Sequence, residues 1–292
     1  MNLMKQAIWI YHFLITIKFR VKCYFFPDIK NRSDFRILLF HEVNQFETNR
    51  FATKIDECAK NWTFVDPAKL EWGGSKPNAS TNQDLVLTFD DGYSSNFEIA
   101  QTVLNPRGIK AIFFVIPEFI DSGDKGESEM FISEQMFPGK RESNTPKHLK
   151  SMTWDQILLL SSQGHTIGSH SSSHKRLSEI PDEAELIHQV IDSQYLLEKK
   201  IGIKIEHFAF PFGDLKSISP SALKIALENY KFVYSGLRGS NQALRSGSVL
   251  RRETVYPWDP KRFELAVLAG ENDSKFKKSL FVLDDWTKSF GI

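Results

Sequence analysis

The sequence predicts an α/β protein whose parallel strands close into a barrel. Three observations carry this. Short runs rich in β-branched and aromatic residues alternate with stretches of helical periodicity. The runs are almost continuously apolar, the pattern of strands covered on both faces. About seven such strand-helix units recur, which suits a barrel better than an open sheet.

The predicted strands, in order, are Arg36 to His41 (RILLFH), Leu85 to Phe89 (LVLTF), Lys110 to Ile116 (KAIFFVI), His165 to Ser169 (HTIGS), His207 to Phe210 (HFAF) and Phe232 to Ser235 (FVYS). A last one falls near Val249 to Val255. Helical patterns lie between them at 95–104, 153–163, 182–200 and 219–230. Two have clear starts: Thr153 stands where an N-cap belongs, and Ser219-Pro220 combines a cap with proline at the first helical position.

Two stretches interrupt the rhythm. Glu71 to Gln83 is a Gly/Ser/Asn/Pro-rich loop. Ser122 to Lys150 is long, polar and turn-rich, and a structureless loop of that length is usually a lid or binding loop. No internal repeat and no clean boundary divides the chain. The expected organisation is an N-terminal helical segment at 1–30, then a single domain at 31–292 with an insertion at about 122–150.

Composition narrows the class. The chain has 292 residues, 41% apolar and 25% charged, which excludes wholesale disorder. A net charge of +1 gives no field to draw nucleic acid, and no nucleic-acid partner is expected. Two cysteines, Cys23 and Cys58, make neither a disulfide scaffold nor a thiolate zinc site. The apolar stretch Ala7 to Ile17 is too short to span a bilayer, which needs roughly 20 residues. "KFRVK" follows it where a signal-peptide cleavage site would be. Two readings of residues 1–22 stand: a helix packed on the domain, or an interfacial helix making peripheral membrane contact. The expected location is the cytoplasm, with a peripheral place at the inner membrane under the second reading.

The chemistry-bearing residues follow strand ends. "TFDDG" places Asp90 and Asp91 after one strand. Adjacent like charges are costly to bury unless a cation or donors compensate, although Asp-Asp-Gly is also ordinary turn chemistry. "HSSSH" places His170 and His174 four residues apart after another strand, and the serines between them can fix the ring orientations. Taken alone these are two surface histidines as readily as a metal site. His41 closes a third strand and Pro211-Phe212-Gly213 a fourth. In a parallel barrel all of these share the C-terminal rim. Two histidines and a carboxylate suit zinc with a position left open, and the second carboxylate is then free to act as a base.

"TFDDG", His170-Ser171-x-x-His174 and the later "FPFG" together resemble the polysaccharide deacetylases with the NodB homology domain, carbohydrate esterase family 4. The resemblance runs from about Arg36 to the final strand. It implies a distorted (β/α)7 barrel that removes N-acetyl groups from amino sugars with a divalent metal, usually zinc. By motif position Asp91, His170 and His174 would hold the metal and Asp90 would be the general base. Two departures stand out. Ala209 occupies the place of the arginine that usually partners the catalytic aspartate, and no histidine after His207 is available as the usual late general acid. Both resemble the branch of exported-glycan deacetylases whose N-terminal strand ends in an aromatic-His pair. Phe40-His41 fits that branch, and His41 is the candidate acid; its other reading is a histidine tied structurally to the rim. Arg252 or Arg251, at the end of a late strand, is the candidate replacement for the missing arginine, against a plain surface ion pair.

In the mechanism so implied, a cation polarises the amide carbonyl and acidifies water. Asp90 takes a proton, the backbone N–H of Phe212 helps at the oxyanion, and His41 protonates the departing amine. Tyr93, Phe212 and Trp258 are candidate sugar-stacking aromatics. The expected substrate is an amino sugar of a surface glycan or its precursor. The competing expectations are a deformylase or O-deacetylase on the same metal site, or a non-catalytic carbohydrate-binding relative.

Overall fold

The computed structural model describes residues 13–17, 35–72, 83–138, 148–241 and 245–291. Nine parallel-paired strands form its sheet: β1 (Phe35–Phe40), β2 (Trp62–Phe64), β3 (Gln83–Phe89), β4 (Ala111–Val115), β5 (Thr166–Ser169), β6 (His207–Ala209), β7 (Phe232–Tyr234), β8 (Val249–Leu250) and β9 (Glu253–Thr254). The order is β8-β7-β6-β5-β4-β3-β1-β9. The two ends of that path, β8 and β9, are separated in the chain only by Arg251 and Arg252. One broken strand therefore joins both edges of the sheet. β8 pairs with β7 and β9 with β1, and six whole strands plus this split one give a distorted seven-stranded barrel.

The expected strands all appear within a residue or two of their expected limits, the last of them in two pieces. β2 was not expected. It pairs with Gln83–Leu85 while β4 takes Leu87–Phe89, so both share the β3 edge opposite β1.

Strand alternation sorts the apolar residues into two cores. Ile37, Val86, Ile112, Phe114, Ala209, Tyr234 and Leu250 point into the barrel. Leu38, Phe40, Leu87, Phe89, Phe113 and Val233 point outward beneath the helices. Phe51, from the helix Thr48–Cys58, meets Phe40 edge-on at 5.0 Å and lies 5.9 Å from Phe89. Each such side chain removed from water stabilises the fold by about 1.5–3 kcal/mol. Burial on both faces is why the strands read as unbroken apolar runs.

The helix caps are as expected: Thr153 and Gln156 form a reciprocal capping box, and the Ser219 hydroxyl accepts the Ala222 N–H. The helices Lys261–Leu268 and Lys277–Phe290, which cover the closing strand, were not among the expected ones.

The 122–150 stretch departs from expectation. Rather than a structureless loop, its described part contains the end of the helix Pro117–Asp124, then Ser128–Phe131 continued by a wide π-type turn at Ile132–Met136. Phe131, Ile132, Met136 and Leu149 pack with Ile116, Phe119 and Tyr93 in a small core of their own. Those apolar residues give the segment something to fold around. Residues 139–147 lie outside the described residues, as does most of the 71–83 loop.

Of the N-terminal segment only residues 13–17 are described; Ile15 is buried in the main core, while Phe13, Leu14 and Ile17 are exposed. Among the described residues no helix is long and apolar enough to cross a membrane.

Candidate active site

Asp90 and Asp91 leave the end of β3 in a sharp turn. The Asp90 N–H donates to the Phe40 carbonyl at 2.9 Å, continuing the β1–β3 ladder one step beyond the strand. Asp91 and Gly92 then take positive φ, 76° and 84°. A Cβ at residue 92 would come within 3.2 Å of Val115 Cγ1, so the turn needs glycine for space as well as for φ. This reversal lets two adjacent carboxylates serve different neighbours.

His170 and His174 follow β5 in a tight loop rather than a helix. Ser171 and His174 have φ of 65° and 63°, and the Ser171 hydroxyl accepts the His174 N–H at 3.0 Å. Asp91, Ser171, His174 and Phe212 are the non-glycine residues with positive φ among the described residues, and all four stand at this site. Such conformations cost on the order of 1–3 kcal/mol each and persist only where the surroundings impose them.

One such constraint is Gln189, fully buried in a π-type turn at His188–Asp192. Its carbonyl accepts the Ser172 N–H, its Oε1 accepts the Ser173 N–H and its Nε2 donates to the Ser173 hydroxyl. Gln189 had no signal in the sequence beyond a helical pattern. The wide turn that aims it inward is a local departure from helix geometry, of a kind often found at functional sites.

The imidazoles are oriented from behind. His170 Nδ1 donates to the Ala209 carbonyl at 2.8 Å, and His174 Nδ1 lies 3.4 Å from the Gln135 carbonyl. Both Nε2 atoms therefore present lone pairs forward. Each stands 3.5 Å from Asp91 Oδ1. One ligand atom from each of the three residues lies within 4.8 Å of the others. Burial pushes the His174 imidazole down to about 4, which keeps it in the neutral, ligating form.

Asp91 Oδ1 is buried and accepts no hydrogen bond. An uncompensated buried carboxylate oxygen facing two nitrogen lone pairs is costly, and a divalent cation removes that cost. The donor set fits a zinc-like ion, with room left for water and substrate.

Asp90 is satisfied differently. Arg252 binds it with both arms of its guanidinium, Nη1 to Oδ1 at 2.6 Å and Nη2 to Oδ2 at 2.9 Å. Nε donates to the Ser235 carbonyl at 2.9 Å, and the guanidinium lies over the Phe114 ring at 5.2 Å. Burial alone would raise the Asp90 carboxyl, but Arg252, with His170 and His41, outweighs it and holds the group below the ordinary carboxylate range. Arg252 enters the barrel interior and is 1% exposed, which corrects the surface-ion-pair reading for this residue. That reading holds instead for its neighbour Arg251, which pairs with Asp284 at 2.8 Å where both are partly exposed.

His41 follows β1 directly beside Asp90 and is partly exposed. Its charge contributes to the shifts of both Asp90 and His174, which places it at the same mouth. The Phe212 ring contacts the His174 imidazole, 4.6 Å between centroids and tilted by 49°, and the Arg176 guanidinium, 4.0 Å from its centroid. The Phe212 ring is thereby tied to a metal-ligand candidate on one side and to a surface cation on the other. Its N–H makes no hydrogen bond among the described residues.

Tyr93 is a further correction. Its ring is buried beside Phe119 and its hydroxyl points at Met136 Sδ, so it is a wall of the site rather than a face open to a sugar. Trp258 is half-exposed on the loop after β9.

Parallel strands thus carry Asp91, His170, His174 and the arginine-held Asp90 together at the C-terminal rim of one sheet. The sequence profile described as polysaccharide deacetylase matches residues 78–229, more than half of the chain. The chain belongs to the polysaccharide deacetylase family.

Bacillus subtilis YxkH, a polysaccharide deacetylase by name, is 21% identical over 183 residues, covering 61% of this chain and 56% of YxkH. A gellan lyase from a Bacillus species is 25% identical over 142 residues, 49% of this chain but 4% of the lyase. The chain thus spans less than two thirds of either curated relative.

Among solved structures, the Streptococcus pyogenes deacetylase PplD, in complex with acetate, superposes with a TM-score of 0.60 at 18% identity. It covers 80% of this chain and 97% of PplD. IcaB from Ammonifex degensii gives 0.61 at 19%, covering 82% and 98%. These likenesses establish the shared fold.

Proposed function

We propose that the protein is a metal-dependent hydrolase that removes an N-acetyl group from an amino sugar of a surface glycan or its precursor. The observation that carries this reading is the orphaned Asp91 Oδ1 between two lone-pair-bearing imidazole nitrogens, one turn away from an aspartate that Arg252 keeps ionised. Asp91, His170 and His174 would hold the ion. When bound, a divalent cation there supplies Lewis-acid polarisation of an amide carbonyl and lowers the pKa of water.

The chain's own residues do the rest. Asp90 accepts the proton released as water attacks the amide carbon, and Arg252 keeps the carboxylate aimed. The unpaired Phe212 N–H is a donor for the negative charge that develops on the carbonyl oxygen. His41, on the strand next to Asp90, gives a proton to the sugar nitrogen as the C–N bond breaks, so that an amine leaves rather than an amide anion. Phe212 and Tyr93 act as packing: one fixes the His174 ring, the other closes the wall behind Asp91.

Peripheral contact of the N-terminal segment with an anionic membrane belongs to the same proposal. It rests on exposed Phe13, Leu14 and Ile17, followed in the sequence by Lys18, Arg20 and Lys22.

The test couples metal content to acetate release. Protein purified without chelator should carry or take up about one equivalent of zinc or a similar ion, and should release acetate from a panel of lipid-linked, nucleotide-linked and oligomeric amino sugars. Protein that cannot be loaded with any divalent ion overturns the proposal.

A further inference from the structure

Behind Arg252, on the outer side of the barrel wall, lies a buried charge cluster that the site itself does not contain. Glu253 opens β9 opposite Leu38 and, one residue after Arg252, projects to the other face of the wall. It is fully buried. Its Oε1 accepts Arg36 Nη1 from β1 at 2.8 Å and the Gly239 N–H at 3.3 Å. Its Oε2 faces Arg238 Nη1 at 3.6 Å, and neither of these two atoms makes a hydrogen bond among the described residues. Arg36 is held in turn by the partly exposed Asp273, Nη1 to Oδ1 at 3.1 Å and Nη2 to Oδ2 at 2.9 Å. Arg251, beside Gly239, is turned away to Asp284 on the last helix. Arg36, Arg238, Glu253 and Asp273 therefore balance to zero charge only while Glu253 is ionised.

The stretch that Glu253 grips also carries Arg252. The Arg252 N–H donates to the Leu237 carbonyl at 3.0 Å and its Nε to the Ser235 carbonyl at 2.9 Å. Arg238 Nη2 donates to the Thr254 carbonyl at 2.6 Å. Residues 235–239 thus clasp 252–254, and Glu253 ties that clasp to β1. Burial pushes the Glu253 carboxyl up to about 7, against the pull of Arg36 and Arg238. Near neutral pH the cluster gains or loses one charge, and with it the attraction that keeps Arg238 and its segment in place.

We propose that Glu253 is a positioning residue: ionised, it clamps Arg36 and Arg238 behind the closing strand and holds Arg252 square to the Asp90 carboxylate; protonated, it releases Arg238 and lets Arg252 shift. A misplacement of about 1 Å remote from the chemistry can cost about 10²-fold in rate, so a partial shift is enough to be read in turnover. The consequence for turnover rests on the deacetylase reading; the clamp does not.

Nuclear magnetic resonance of the full chain labelled with ¹⁵N-arginine reads the clamp without turnover. The Arg252 Nε–H signal should move with pH along an inflection near 7. In Glu253→Gln that inflection should vanish. In Asp273→Asn, which leaves Arg36 to Glu253 alone, it should move to lower pH, and this partly exposed position tests the clamp even where Glu253→Gln does not fold. Acetate release from the β-linked N-acetylglucosamine pentamer should follow the same group. The parent should lose about 5-fold in kcat between about pH 8 and pH 6 with KM within about 2-fold, and Glu253→Gln should run about 10-fold below the parent's pH 8 rate without that fall. An Arg252 signal that ignores pH in the parent overturns the clamp, as does an inflection that persists in Glu253→Gln or stays in place in Asp273→Asn. A moving signal with the same kcat profile in parent and Glu253→Gln overturns the positioning role. A moving signal with no acetate released at any pH leaves the clamp and removes the deacetylase reading.

Discussion

Arg251 and Arg252 are adjacent in sequence and make a controlled comparison. Arg252 is 1% exposed and its guanidinium forms both bonds to Asp90, which is itself 2% exposed. Replacing it by methionine keeps the bulk over Phe114 and Tyr234 but strands a carboxylate inside the barrel. Breaking a buried pair from one side costs about 3–5 kcal/mol, because the remaining charge is uncompensated. Arg251→Met breaks only a partly exposed pair with Asp284 and should cost at most about 1 kcal/mol.

Urea denaturation of the two variants and the parent, followed by circular dichroism, measures the difference. If the cost arises from the stranded charge, adding Asp90→Asn to Arg252→Met should recover more than half of the loss, a strongly non-additive pair. An Arg252→Met protein within 1 kcal/mol of the parent would refute the reasoning. So would a double variant less stable than Arg252→Met alone.

Three further outcomes follow from the same geometry. Asp91→Asn and His174→Ala should each lose bound metal by elemental analysis, whereas Asp90→Asn should retain metal and lose turnover by at least about 10²-fold. His41→Ala should keep the metal and the fold and lower kcat by about 10²–10⁴-fold; a near-parental rate returns His41 to a structural role. Acid should destabilise the protein through His165, which burial, with Lys110 nearby, depresses to about 4, and whose Nδ1 accepts the Ala111 N–H. A depressed base favours the folded state above its unfolded pKa near 6.5, so this stability is complete at pH 7 and drains away as pH falls from about 6.5 toward 4. The loss is on the order of 2–3 kcal/mol. Comparison of urea midpoints at pH 7 and 4.5 should show a smaller fall for His165→Gln than for the parent.

The barrel was legible because its strands are buried on two faces, and unbroken apolar runs such as Lys110 to Ile116 have no solvent-facing alternative. β2 was not, since three residues, Trp62–Phe64, carry no period; they are a strand only because Gln83–Leu85 lies uncovered beside them. Tyr93 stands next to the aspartate pair in sequence, which made it a candidate face for a sugar. Its burial is decided by Phe131 and Met136, some forty residues on, within a segment whose polar flanks read as loop. The metal ligands were legible as residue types at strand ends. Their lone-pair directions were not, because these depend on the carbonyls of Ala209 and Gln135.

Ala209 shows why a departure from a family pattern need not be a loss. The position has two separable tasks. Its backbone carbonyl fixes the His170 ring, a task any residue performs, and it is performed here at 2.8 Å. The side-chain task is a guanidinium against the base, and Arg252 supplies it from the broken strand that closes the barrel. The break is what makes this possible: it falls between β8 and β9, and from it the Arg252 side chain reaches the Asp90 carboxylate at the end of β3. Phe114 and Tyr234, which flank the Arg252 guanidinium, belong to the same interior cluster as Ala209. A second long cation at 209 would compete for that volume and for the same carboxylate, and the loser would be a buried charge without a partner. A small residue at 209 is therefore the counterpart of an arginine at 252, and the two positions are one solution to holding Asp90 ionised.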